Sequence, residues 1–205
     1  MLTATDLQRQ TLRLYGELLA RSDVWAGKLV FTSGVGSSAT GLPAAVSIAG
    51  GTTLVLDPDS ATVKTVFRSG GIDFVVNTLD EALRVLKNEI RQRKPLSVAL
   101  IAAIEPTLAE MTERGVQPDL RWEAASSQTA ELTAWLASRS WSVQEFTTET
   151  TAALRALDAR LLDTLPLGDS LRRTWLQRIT HYQRPSAGGS RLLWLTAEEK
   201  RMLEA

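Results

Sequence analysis

The chain has 205 residues, of which 44% are hydrophobic and 22% charged, the balance of one globular domain with at most a small appendage. Its 23 basic and 23 acidic residues cancel, so no global field gathers nucleic-acid phosphates or anionic lipid, and neither nucleic acid nor membrane is expected as a partner. With no cysteine and a single histidine, disulfides, thiolate nucleophiles, iron–sulfur clusters and multi-His metal sites are excluded, and no metal is expected.

The first apolar stretch, Leu7 to Leu19, is broken by Arg9, Arg13 and Glu17, and no run approaches the ~20 apolar residues of a membrane helix. The cytoplasm is therefore the expected compartment. Asp6 to Arg21 predicts an amphipathic helix, with Leu7, Leu12, Leu14, Tyr15, Leu18 and Leu19 on one broad face. Thr5, or Thr3 with Asp6 three residues on, supplies its cap. Lys28 to Thr32 reads as a strand that runs into the small-residue loop Ser33 to Ser38, and Pro43 to Ala49 reads as a helix stopped by Gly50-Gly51.

The same unit then repeats. Strands are expected at Thr52 to Leu56, Ile72 to Val76, Leu96 to Ala102, Pro118 to Trp122 and Trp141 to Phe146. Helices are expected at Ala61 to Arg68, Thr78 to Arg93, Thr107 to Arg114 and Ala130 to Ser138, the second opened by a Thr78/Glu81 capping box. Beyond Thr147 the pattern turns helical, at Leu154 to Leu162, Ser170 to Tyr182 and Ala197 to Glu204, with Leu192 to Leu195 as an edge strand. Strands alternating with helices predict an α/β fold, an open, doubly wound, mainly parallel Rossmann-like sheet with additional N- and C-terminal helices. The strands are continuous apolar runs, as a sheet covered on both faces requires. The expected organisation is an N-terminal helix at 1–24, the Rossmann core at 25–147, and a C-terminal helical extension at 148–205 packed on the core.

The candidate site is the loop after the first strand. Gly34-Val35-Gly36 between a strand and a helix lets backbone approach a pyrophosphate, and the helix N-terminus offers free N–H groups. Ser37 and Ser38 would donate to phosphate. Asp57 ends the second strand at about the ~20-residue spacing of a ribose-binding carboxylate. A short Gly-x-Gly turn is also a common structural turn, and the third glycine of the usual fingerprint is absent, since Gly41 falls too late.

A wider set of segments resembles the NAD-binding core of the urocanase (urocanate hydratase) family. It comprises Trp25 to Gly36, Pro43, Ala49-Gly50-Gly51, Leu79 to Leu83, Lys94 to Val98 and Arg114 to Asp119, in order and at matching spacing. The stretch Gly51 to Asp57 by itself also resembles lactate-utilisation proteins. The urocanase resemblance implies NAD as cofactor, a lyase (hydro-lyase) activity on urocanate, and a link to histidine metabolism. In that family NAD+ acts as an electrophile to which urocanate adds before water attacks the imidazole.

The sequence departs from the family pattern at the site. Where the family loop is of the Gly-Leu-Gly-Gly-Met-Gly-Gly-Ala-Gln-Pro type, Ser37, Ala39 and Thr40 replace inner glycines and Leu42 replaces the Gln, while Gly34, Gly36 and Pro43 remain. Asp57 stands where the family has a glutamate, and Thr62 where it has a cofactor-binding arginine. The Asn of the turn after the fourth strand is lost in Ala102-Ala103-Ile104-Glu105, and Glu123 to Thr129 lacks the Gln, His and final Asp of the corresponding family loop. The N- and C-terminal portions of full-length urocanases and the active-site cysteine have no counterpart among these residues.

Two functions are therefore expected. One is a urocanase-like pseudoenzyme with no catalytic residue of its own, lacking hydratase activity and serving as a binding or assembly module, with a homodimer as its partner state. The other is a small enzyme or sensor that binds NAD or a related anion at Gly34, Gly36, Ser37, Ser38 and Asp57. A loop filled by Thr40 or Leu42 favours the first, and an open crevice favours the second. Of the remaining candidates, His181 reads as a surface or packing residue, and Glu105 and Glu123 as strand-end carboxylates that could form a new acidic site. Arg172, Arg173, Arg178, Arg184 and Arg191 read as a solvated face, and Trp135, Trp141, Trp175 and Trp194 as packing residues.

Overall fold

A computed structural model of the chain describes residues 3–36, 39–123, 129–182 and 189–204. Helix α1 (Ala4–Arg21) opens with the expected box, in which the Thr3 hydroxyl accepts from Asp6 N–H at 3.1 Å and Thr3 N–H donates back to the Asp6 carboxylate. The strands β1 (Leu29–Ser33), β2 (Thr52–Leu56), β3 (Phe74–Val76), β4 (Leu96–Leu100) and β5 (Leu120–Trp122) form one parallel sheet in the order β3-β4-β2-β1-β5. The fold is thus α/β with a Rossmann-like parallel sheet.

Both faces of that sheet are covered, which is why its strands read as unbroken apolar runs. Leu29, Phe31, Leu54, Leu56, Val98 and Leu100 pack against Ala82, Leu83 and Leu86 of α4 (Leu79–Gln92) and Met111 of α5 (Ile104–Glu113). On the other face Val55 and Ala99 meet Val63 and Val66 of α3 (Ser60–Arg68), while Val30 joins α1 and α2 (Leu42–Ala49). Truncating a side chain as buried as Leu86, 1% exposed, to alanine costs about 2–5 kcal/mol.

Of the boundaries that differ from expectation, two have clear local reasons. β3 starts at Phe74 because the Asp73 carboxylate turns to accept the N–H and hydroxyl of Ser97. α5 starts at Ile104 rather than Thr107, because Pro106 sits in the first turn, where its missing N–H costs nothing.

The segment expected as a sixth strand does form one, β6 (Ser142–Thr148), but it stands apart from the parallel sheet. It pairs antiparallel with β7 (Gly189–Leu195) in a separate two-stranded sheet. Helices α6 (Thr129–Ala137), α7 (Thr151–Thr164), α8 (Ser170–Tyr182) and α9 (Ala197–Glu204) complete the described chain. The expected edge strand at Leu192 to Leu195 is the C-terminal part of β7, which pairs with β6 alone but is a buried edge. Its five C-terminal residues are buried, and the side away from β6 is closed by side chains. There Gln8 bonds Ser190 O and Leu192 N–H, Trp175 Nε1 donates to Leu192 O at 2.7 Å, and Arg172 donates to Trp194 O at 3.0 Å.

Trp135, Trp141, Trp175 and Trp194 are packing residues. Trp141, Trp194, Tyr15 and Trp175 stack in sequence with centroids 6.1, 5.9 and 5.7 Å apart, and Trp135 stands edge-on to Trp141 and Trp194. Burial pushes the Tyr15 phenol well above its ordinary pKa. The arginines do not form the solvated face expected of them. Arg172 is buried against Asp169 and Glu199, and Arg191 is buried on Asp158. Arg173 reaches Leu162 O and Arg178 reaches Ser47 O, while Arg184 lies outside the described residues. Among the described residues no helix is long and apolar enough to cross a membrane.

Candidate functional site

The strand order reverses beside β1, whose neighbours are β2 on one side and β5 on the other. In open α/β sheets this is where ligands meet the carboxyl ends of the strands. The Gly34 loop leaves β1 at that point. Gly34 has φ +86°, a conformation that favours glycine, and its N–H extends the β1–β2 ladder by donating to Leu56 O at 2.7 Å.

The next residue turns inward. Val35 is 1% exposed and packs with Val55, Val63, Val66, Ile72 and Ala99. Asp57 Oδ2 accepts Val35 N–H at 3.0 Å, and Oδ1 accepts Asp59 N–H at 2.9 Å. Both oxygens of the expected ribose ligand thus hold the backbone of its own loops, and the residue is 7% exposed. Gly36 is exposed, with open space where a Cβ would stand. Ser37 and Ser38, the expected phosphate donors, lie outside the described residues.

Beyond them the loop closes on itself. The Thr40 hydroxyl is within bonding distance of Val35 O (3.1 Å) and Gly36 O (2.9 Å), and Ala39 N–H donates to Gly36 O. At the start of α2 the Gly41 N–H donates to Gln10 Oε1 of α1 at 3.0 Å, the Leu42 N–H donates to Ala39 O at 2.9 Å, and Pro43 has no N–H. The Leu42 side chain is fully buried. At this helix end the Gly41 and Leu42 amides already have acceptors within the protein. The described start of α2 therefore offers neither the Gly41 nor the Leu42 N–H to a pyrophosphate.

Gln10 and its neighbour Thr11 were not among the candidates read from the sequence. The signal for them was weak but real: both interrupt the apolar stripe of α1 between Leu7 and Leu14. Thr11 is buried completely there, and polar residues on a buried helix face call for a partner.

The other candidates are dispersed. Thr62 donates to Asp59 at 2.6 Å, and these bonds together hold the Asp59 carboxyl below its usual range. Glu105 is exposed in the first turn of α5, where a carboxylate favours the helix N-terminus, and Glu123 is exposed after β5. His181 is exposed on α8 and stands edge-on to Tyr182 at 5.0 Å, and α8 meets α2 at the end opposite the loop. No group of three or more metal-ligating side chains occurs among the described residues.

The fold agrees with the comparison to known families. A family model described as the urocanase Rossmann-like domain matches residues 9–165, from the first turns of α1 to the end of α7. That match covers well over half of the 205 residues and includes every strand of the parallel sheet. The chain belongs to the urocanase family through this Rossmann-like domain.

Proposed function

We propose that this urocanase-family domain has no urocanate hydratase activity and works as a binding or assembly module, with a second copy of itself as partner. The observation that carries this reading is the closed start of α2, where Gln10 takes the Gly41 N–H, Ala39 O takes the Leu42 N–H, and Leu42 fills the space below. General acid–base chemistry also needs a positioned titratable group, and the one histidine of the chain stands on α8, away from the loop.

One observation favours the second reading, in which the loop still binds NAD or a related anion. The exposed backbone of Gly36 leaves its surface approachable. Calorimetric titration with NAD+, run beside thermal melts and a urocanate-consumption assay, separates the two. The pseudoenzyme reading expects no heat, no melting shift at millimolar NAD+ and no turnover. Micromolar binding that Gly36→Val abolishes would replace it with the anion-site reading.

A further inference from the structure

The face of α4 turned away from the sheet is basic. Leu79, Ala82, Leu83 and Leu86 place the apolar side of this helix against the strands. From Arg84 to Lys94 the chain carries five cations, Arg84, Lys87, Arg91, Arg93 and Lys94, all of them exposed, against one carboxylate, Glu89. Arg84, Lys87 and Arg91 follow one another at spacings of three and four residues, so they stand in a row on one flank of the helix. Glu89 falls on the other flank, where Asn88 Nδ2 donates to it at 2.8 Å.

Among the described residues none of these five cations forms an ion pair, whereas Arg9, Arg114, Arg172 and Arg191 are each paired with carboxylates. Arg93 supplies an independent sign. It ends α4 at φ +55°, a left-handed conformation in which glycine is the more stable residue. The chain thus keeps a cation there against the local backbone preference, and Lys94 extends the row. The Arg93 stem lies along Gly27, where an added Cβ would stand 3.4 Å from Arg93 Cγ.

We propose that this row docks a short acidic peptide segment of a partner protein. Its length sets the size of the occupant. Eleven residues at 1.5 Å each give about 15 Å, which an extended peptide of about five residues covers at ~3.3 Å per residue. Its surroundings set the chemistry. A long phosphate polymer running past Arg84 along the helix would meet Asp80, whose side chain is 79% exposed, and then Glu81. The chain as a whole is neutral, so no wider field holds such a polymer in place. α4 has no aromatic residue to stack on bases and no exposed large apolar residue to enter a bilayer. A segment with two or three carboxylates on one side matches the row and stops short of Asp80. The surface lies on the sheet face opposite α2, so the proposal goes beyond the reading of the Gly34 loop and stands or falls separately from it.

Fluorescence anisotropy of a labelled hexaglutamate peptide on the wild-type protein is expected to show saturable binding at low ionic strength. Hexaglutamine should not bind, and molar salt should remove the signal, because exposed charge pairs are screened. Arg84→Gln, Lys87→Gln and Arg91→Gln together are expected to weaken binding about tenfold with an unchanged melt, since each exposed pair contributes little alone. Lys64→Gln, Arg68→Gln and Arg155→Gln remove the same charge from exposed positions of α3 and α7 and are expected to leave binding unchanged. Arg93→Gly is expected to weaken binding while raising the melting point by about 2–4 °C. No binding at low ionic strength, or equal loss in the two triple variants, overturns the proposal. Tighter binding of a labelled dodecathymidylate or of phosphatidylserine vesicles, lost in the α4 variant, overturns the peptide as occupant and assigns the row to a phosphate surface. The NAD+ titration reads the Gly34 loop and is independent of each of these outcomes.

Discussion

Gln10 Oε1 accepts the Gly41 N–H at 3.0 Å, a bond that ties α1 to the first turn of α2 across 31 residues of chain. At the other end of α2, Arg178 donates to Ser47 O at 2.9 Å and lies near Ile48 O. The helix is held by an acceptor where its donors are exposed and by a cation where its carbonyls are, which is the arrangement its dipole favours.

Gln10→Ala is expected to leave a donor buried at Gly41 and to lower stability by about 1–3 kcal/mol. Urea unfolding checks this as a lower midpoint with an unchanged slope. An unchanged midpoint would mean that water or an anion reaches the Gly41 N–H, and the closed-site reading would lose its main support.

Gly41 carries a second, steric constraint. A Cβ there would stand 2.6 Å from Thr11 Oγ1, 3.0 Å from Thr11 N and 3.1 Å from its Cα. The last two are backbone, so α1 must shift as a whole, and Gly41→Ala is expected to cost about 1–3 kcal/mol or more. Adding Thr11→Ala removes the hydroxyl contact alone and should recover only part of the loss. Full recovery in the double variant would show that the backbone contact is unimportant.

Asp57 distinguishes a structural carboxylate from a ribose ligand. Its oxygens hold Val35 N–H and Asp59 N–H, so Asp57→Ala is expected to lose about 2 kcal/mol and Asp57→Asn, which keeps one acceptor, less. A ribose role predicts the reverse, with melting points unchanged and only nucleotide affinity lost. For that reason Gly36→Val is the sounder probe of ligand binding, since its added Cβ meets nothing within 4 Å.

The parts of the fold legible in the sequence are those set by neighbours along the chain. The apolar runs of β1, β2 and β4 and the Thr78 cap of α4 announce themselves because burial on both faces and an orphan helix donor are local demands. The loop at Gly34 was legible for the same reason, as a strand, a glycine with positive φ and a helix in succession. What closes that loop was not, because Gln10 comes from the preceding helix and shows itself only as a polar break in an apolar stripe. The pairing of β6 with β7 joins Ser142 to Leu195, and the burial of Arg172 and Arg191 depends on Glu199 and Asp158. Those partners are 27 and 33 residues away, so an arginine-rich segment reads as solvated until the chain is folded.

The Arg172 cluster gives the fold an acid limit. Arg172 bonds Glu199 at 2.6 and 2.8 Å and Asp169 at 2.6 Å, joining α8, α9 and the end of β7. Burial opposes ionisation of Glu199, but the Arg172 guanidinium and the Thr196 N–H outweigh it and hold the carboxyl below its ordinary 4.5. A carboxyl depressed in the folded state contributes fully above its unfolded pKa, and that contribution disappears as pH falls through the folded value. Stability from this group should therefore be level from neutral pH to about pH 5 and decline below it. Glu199→Gln is expected to be less stable at neutral pH, because it leaves the buried Arg172 short of a counter-charge. Its stability should also fall less steeply in acid, so that the two proteins converge toward low pH. Unfolding midpoints measured across that range check the point, and curves that stay parallel would remove Glu199 as the titrating group.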